Sequence, residues 1–131
     1  MEMDITFPGG ARVEARFGPY TVFTDQPPKG GGEGSAPTPF ALFLASLGTC
    51  AGIYVLEFLR RRGLPWDGVT LKQHVRSNPE TGMVEEVGLE IRLPAEFPEQ
   101  YLPAIARSAE LCAVKKHLEH PPRINVHATR Q

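Results

Sequence analysis

Apolar and polar positions along this chain follow two rhythms. From Arg12 to Phe17, the residues Val13, Ala15 and Phe17 alternate with Arg12, Glu14 and Arg16, the period of a half-buried strand with its charged side chains toward water. Asp4 to Phe7 and Tyr20 to Asp25 flank that strand as extended segments, set off by Pro8-Gly9-Gly10 and Gly18-Pro19. The N-terminal stretch therefore predicts a hairpin or meander. Val69 to Ser77 and Met83 to Leu93 repeat the alternation on either side of Asn78-Pro79-Glu80-Thr81-Gly82, a turn by composition. This second pair reads as an antiparallel hairpin with one wet face. Ile124 to Ala128 predicts a last short strand, with Ile124 and Val126 inward.

Between the two strand pairs the rhythm changes to that of one long helix, residues 39 to 62, about 36 Å in length. Thr38 is a good N-cap, and Pro39 falls at the first helical position, where its missing N–H costs nothing. Arg60, Arg61 and Arg62 fall where the helix dipole favours cations; Gly63 suits a left-handed cap, and Leu64-Pro65 stops the helix. From Phe40 to Leu47 the only polar residue is Ser46, so this half is expected to be covered on most sides. The apolar run reads as too short and too interrupted for a membrane span. Glu99 to His117 is a second helical stretch. Pro103 should divide or kink it, Ser108 is expected to cap its second piece, and Tyr101, Ile105, Ala109 and Cys112 form its buried stripe. The order β-β, long helix, β-β, helix, β makes an α+β protein, expected as a single domain over residues 1–131.

Composition narrows the function classes. A net charge of −1 gives no reason to expect nucleic acid or an anionic membrane as partner. Met1 to Phe7 holds two acids and no apolar run, unlike a secretory signal, so a cytoplasmic location is expected. Pro27-Pro28 and Gly30-Gly31-Gly32 lie in a loop from Gln26 to Pro37 that has no Gly-Lys-Ser/Thr ending. It is read as a flexible loop near the start of the long helix, not a phosphate loop.

The candidate chemistry lies in two cysteines, Cys50 and Cys112, each on the apolar side of a predicted helix. The residues themselves leave two readings open: two small buried hydrophobes, or, ranked below that because nothing suggests secretion, a structural disulfide worth roughly 4 kcal/mol by loop entropy. His74, His117, His120 and His127 show no zinc-site spacing and there is no Cys-x-x-Cys, so no metal site is expected. Ser46 and Thr49 sit in no nucleophile elbow. The arginine run reads as a solvated helix end.

Two runs carry a resemblance. Pro37-Thr38-Pro39-Phe40 through Leu44-Ala45-Ser46-Leu47-Gly48-Thr49-Cys50, and Ser108-Ala109-Glu110-Leu111-Cys112-Ala113-Val114, resemble the OsmC/Ohr family of osmotically inducible and organic-hydroperoxide-resistance proteins. Asp25-Gln26-Pro27 and the Gly-rich segment are more similar to its OsmC-like branch. The resemblance implies an OsmC-like fold: an intertwined homodimer with antiparallel sheets around long central helices. It also implies a peroxidase of the peroxiredoxin-like kind, acting without a cofactor. Cys50 would be the peroxidatic thiolate that attacks an organic hydroperoxide. Cys112 would resolve the sulfenic acid as a disulfide, and a lipoyl-type dithiol would reduce it. The family activates its first cysteine with an arginine from the N-terminal region and a glutamate just after the helix-start proline. Arg12 and Arg16 are the candidates for the arginine. The glutamate is replaced: Phe40 and Ala41 follow Pro39, and Glu33 is the nearest acid before it. Ala113 stands where many relatives have proline. The alternative is an OsmC-fold protein without peroxidase turnover, acting as a small-molecule-binding or thiol-sensing module.

Overall fold

The computed structural model describes all 131 residues, which divide into two compact units, Met1–Ala45 and Ser46–Gln131. The first unit is a three-stranded antiparallel meander of β1 (Asp4–Gly9), β2 (Arg12–Phe17) and β3 (Tyr20–Thr24), in the order β1-β2-β3. Ala15 of the central strand lies opposite Ile5 on one side and Val22 on the other. The alternation misplaces one residue here. Glu14, expected on the wet face, is buried, and it is tolerated because it is paired. Its Oε1 accepts hydrogen bonds from Arg16 Nη2 at 2.6 Å and from Thr6 Oγ1 at 3.1 Å.

The loop after β3 is held by a buried acid. Asp25 Oδ1 accepts the Gln26 N–H at 2.7 Å, while Oδ2 accepts the Ser35 hydroxyl at 2.5 Å, the Ser35 N–H at 3.0 Å and the Glu33 N–H at 3.4 Å. These bonds hold the Asp25 carboxyl at about 2, below its ordinary 3.8, with the Ser35 hydroxyl the largest cause. The Gly-rich loop, expected to be flexible, is therefore tied down. Gly32 is obligatory in it: a Cβ there would lie 2.0 Å from the Gln26 carbonyl oxygen.

Helix α1 runs from Pro39 to Arg61 with the termini expected of its sequence. Thr38 Oγ1 accepts the Ala41 N–H at 3.1 Å. At the other end Gly63 is left-handed (φ 64°), and the Leu64 N–H reaches back to the Leu59 carbonyl at 2.9 Å. Contrary to the sequence reading, α1 is long and apolar enough to cross a membrane by length and composition, with a mean hydropathy of 1.8 over its most apolar window. Serine and threonine interrupt it without adding charge. Its last turns nevertheless belong to a protein core: Val55, Phe58 and Leu59 pack with Ile105, and Leu71, Ile91 and Tyr101 close around them.

The second unit continues with β4 (Thr70–Ser77) and β5 (Val84–Arg92), an antiparallel hairpin in which Gln73 lies opposite Leu89. Asn78 shapes its turn by accepting the Glu80 N–H at 2.8 Å. A single 3-10 turn at Glu99–Tyr101 then leads into α2 (Leu102–Ala109) and α3 (Ala113–Glu119). Pro103 lies in the first turn of α2, and the break between helices falls at Glu110–Cys112, not at Ser108. The expected strand at Ile124 to Ala128 does not form. Residues 121 to 131 have no regular structure, and Ile124 and Val126 are over four-fifths exposed, because no strand of this chain pairs with them.

Candidate functional site

Cys50 and Cys112 both lie in the second unit, and local structure aims one at the other. Cys50 is about three turns into α1, half-buried. Two residues before it, Gly48 lies close against the hairpin: a Cβ there would meet Gln73 Oε1 at 2.6 Å. On the other side the chain leaves α2 through two tight turns, Glu110 N–H to the Arg107 carbonyl and Leu111 N–H to the Ser108 carbonyl, both at 3.2 Å. Cys112 follows in an extended conformation (φ −47°, ψ 125°) as the N-cap of α3. Its sulfur takes the place of the usual capping oxygen and accepts the Lys115 N–H at 3.5 Å. Ser108, the expected cap, instead donates its hydroxyl to the Ile105 carbonyl at 2.6 Å.

This geometry makes the two thiols unequal. The Cys50 pKa is lowered: the Val114 N–H contributes most, followed by the Cys112 thiol and the Ala113 N–H, and together these outweigh partial burial. Amides in the first turn of a helix have no carbonyl partner within it, so they are free to serve the sulfur. Burial pushes Cys112 the other way, raising its pKa, and a negative Cys50 nearby adds to the effect. Cys112 is 2% exposed, and its thiol also lies 3.9 Å from the Leu47 carbonyl. Both cysteines are free thiols. The arrangement suits a thiolate at Cys50 and a neutral, protonated partner at Cys112.

A pocket of about 280 Å³ opens beside α3, walled by Val87, Leu89 and Ile91 of β5 and by Ala109, Glu110 and Lys115. Its walls are apolar, with one charge of each sign among the lining residues. The other residues singled out from the sequence belong to the first unit. Arg16 is bound by Glu14, Arg12 donates its Nε to the Gly9 carbonyl at 3.2 Å, and the Glu33 backbone N–H goes to Asp25. The amides of Ala113 and Val114 escaped the sequence reading, since backbone donors carry no residue signature.

The model of the family described as "OsmC-like protein" matches residues 32–127, which includes both cysteines. The chain belongs to the OsmC-like protein family. Among solved structures, this OsmC-like chain is similar to a Psychrobacter arcticus protein described as a candidate osmotic stress induced and detoxification response protein. That match has a TM-score of 0.74 and 23% identity over 87% of this chain and 85% of that one. An OsmC-like protein from Mycoplasma pneumoniae matches at TM-score 0.67 and 13% identity, covering 92% of this chain and 89% of that chain. An organic hydroperoxide resistance protein OsmC from Legionella pneumophila matches at 0.54 and 20% identity, over 90% and 89%. At such identities the likeness is one of fold. No curated protein matches the sequence.

Proposed function

We propose that this OsmC-like chain is a thiol-dependent peroxidase that reduces organic hydroperoxides. The observation that carries the reading is the lowered pKa of Cys50, which the Val114 N–H, the Cys112 thiol and the Ala113 N–H bring about against partial burial. Only a thiolate attacks a peroxide, and those donors stabilise one. In the proposed cycle, the Cys50 thiolate attacks the terminal oxygen of R–O–O–H. The O–O bond breaks, the alcohol leaves with a proton taken up, and Cys50 becomes a sulfenic acid. Cys112 then attacks the Cys50 sulfur, water leaves, and a Cys50–Cys112 disulfide forms. A dithiol of the lipoyl type reduces that disulfide by exchange. No cofactor is needed. The apolar pocket beside α3 would take the organic group of the peroxide.

The resemblance adds Arg12, Arg16 and Glu33 as possible activating groups. Of the two arginines, Arg12 keeps its charge free of a carboxylate, whereas Arg16 is bound to Glu14. Arg12 is therefore the better candidate for adding to the effect of the amides.

Assembly as a homodimer belongs to the same reading. Phe40, Phe43 and Ile53 of α1 are exposed, as are Ile124 and Val126 of the C-terminal segment. A second copy would supply the cover that these apolar groups need. A cytoplasmic location fits a pair of thiols that must be returned to the reduced state.

The test is peroxide consumption with cumene hydroperoxide and dihydrolipoamide. Turnover is expected for the wild type and its loss for Cys50→Ser. One observation favours a second reading, a binding or sensing module without turnover: Phe40 and Ala41 occupy the positions where the family glutamate is expected. Under that reading Cys50 still labels rapidly with alkylating agents, but peroxide is not consumed catalytically.

A further inference from the structure

Three arginines line one concavity of the second unit. Arg61 is the last residue of α1, Arg62 follows it directly, and Arg107 comes from the last turn of α2; between them lies a pocket of about 400 Å³. Tyr54, Phe58 and Leu111 make much of its apolar lining. The ion pairs of the chain engage Arg16, His74, Arg76, Arg92 and Lys115, and none of these three arginines. Glu57, the one carboxylate in the lining, pairs with none of them, so the lining carries a net charge of +2 from three arginines and one glutamate.

Each arginine at a helix C-terminus gains from the helix dipole, which accounts for cations there singly. It does not account for three guanidinium groups brought round one hollow, where they repel one another and Glu57, the one carboxylate there, pairs with none of them. Arg62 is moreover fixed in place: its guanidinium stacks 3.8 Å from the centre of the Phe58 ring. Phe58 is itself held by the edge of Tyr101, with ring centres 6.2 Å apart. A stacked guanidinium keeps its N–H edge free for an oxyanion. The volume lies in the range of small-molecule sites, and the mix of apolar walls with a few charged groups is typical of them.

We propose that this groove binds an amphipathic organic anion, a carboxylate attached to a short alkyl chain or a single ring. The carboxylate lies among Arg61, Arg62 and Arg107, which can grip it as a fork. The apolar part lies on Tyr54, Phe58 and Leu111. Neither cysteine lines this groove, although Tyr54 lies one turn after Cys50 and Leu111 precedes Cys112, and the proposal does not rest on the peroxidase reading.

The experiment is calorimetric titration of the full protein with octanoate, octanamide and inorganic phosphate at low and high salt, on the wild type, Arg107→Gln and Arg107→Lys. Octanoate is expected to bind more tightly than either comparison ligand and to weaken as salt rises. Arg107→Gln should weaken it at least fivefold, and Arg107→Lys, which keeps the charge but loses the fork, should lie between. Thermal melts confirm that the variants fold; should either fail to, Arg61→Gln serves in its place. Equal binding of octanoate and octanamide would overturn the proposal in favour of a purely apolar hollow. Phosphate binding as tightly as octanoate would reduce it to a general anion site and overturn the amphipathic claim. No octanoate binding to the wild type, or unchanged binding in the glutamine variant, would also overturn it.

Discussion

The backbone N–H of Val114 does most to lower the Cys50 pKa, ahead of the Cys112 thiol and the Ala113 N–H. The donor comes from a different helix. Cys50 stands too far into α1 for the N-terminus of its own helix to reach it, since that influence fades within the first turn. The start of α3, more than sixty residues later in sequence, supplies the donors instead.

The first consequence is a split in thiol reactivity with pH. Cys50 should alkylate with an apparent pKa below the free-thiol value of about 8.5, and Cys112 should react only above it. In Cys112→Ala one of the donors to Cys50 is lost, so the Cys50 profile should move to higher pH while staying below the free-thiol value, because the Val114 N–H remains. Iodoacetamide labelling followed by peptide mass analysis across pH measures both. Equal profiles for the two thiols would refute the split.

Ala113 offers a sharper test of the amides. It is the first residue of α3, and Cys112 before it is already extended (φ −47°, ψ 125°), as a residue preceding proline must be. Ala113→Pro therefore keeps the helix start, where proline is favoured, and removes the Ala113 N–H from Cys50. Losing a bonded N–H offsets what proline gains through the unfolded chain, so little change in melting temperature is expected. The expected outcome is an upward shift in the Cys50 alkylation profile. An unchanged profile would mean that the Ala113 amide does not serve the sulfur.

Acid should release the loop of the first unit. A carboxyl whose pKa is depressed on folding adds stability above its unfolded value and loses it as pH falls toward the folded value. For Asp25 that window runs from 3.8 down to about 2. Ser35→Ala removes the largest cause of the shift, so its Asp25 should titrate at a higher pH and the loop should open earlier. Carboxyl NMR titration of Asp25, with exchange rates of the Glu33 and Ser35 amides, reads both effects. An unchanged titration in Ser35→Ala would contradict the assignment.

Much of this was legible in the sequence, for reasons that can be named. The ends of α1 are written in Thr38-Pro39 and Gly63, and the second hairpin in its alternation about Asn78–Gly82. Three features were not legible. The break before α3 contains neither glycine nor proline, and Glu110 still has near-helical dihedrals (φ −72°, ψ −13°). Sulfur is not among the usual helix caps, so Cys112 gave no sign of starting α3. Ile124 to Ala128 has the composition of a strand, but a strand exists only with a partner to pair with. Glu14 shows the limit of alternation as a guide, since a paired carboxylate can occupy a buried position.

That unpaired segment and the exposed side of α1 lead to a prediction about assembly. The protein should be a dimer at micromolar concentration by light scattering. Ile53→Asp, which places a charge on the exposed apolar side of α1, should shift it to a monomer or to aggregates. A stable, well-folded wild-type monomer at that concentration would refute the dimer.

The central claim is that Cys50 takes the oxygen and Cys112 resolves it. Intact-mass analysis after one equivalent of cumene hydroperoxide tests it most directly, on the wild type and on Cys112→Ser. The account predicts that the wild type loses two hydrogens, as an internal disulfide requires, and that Cys112→Ser gains one oxygen at Cys50. Unchanged masses in both proteins would contradict it and leave the binding or sensing module as the better reading.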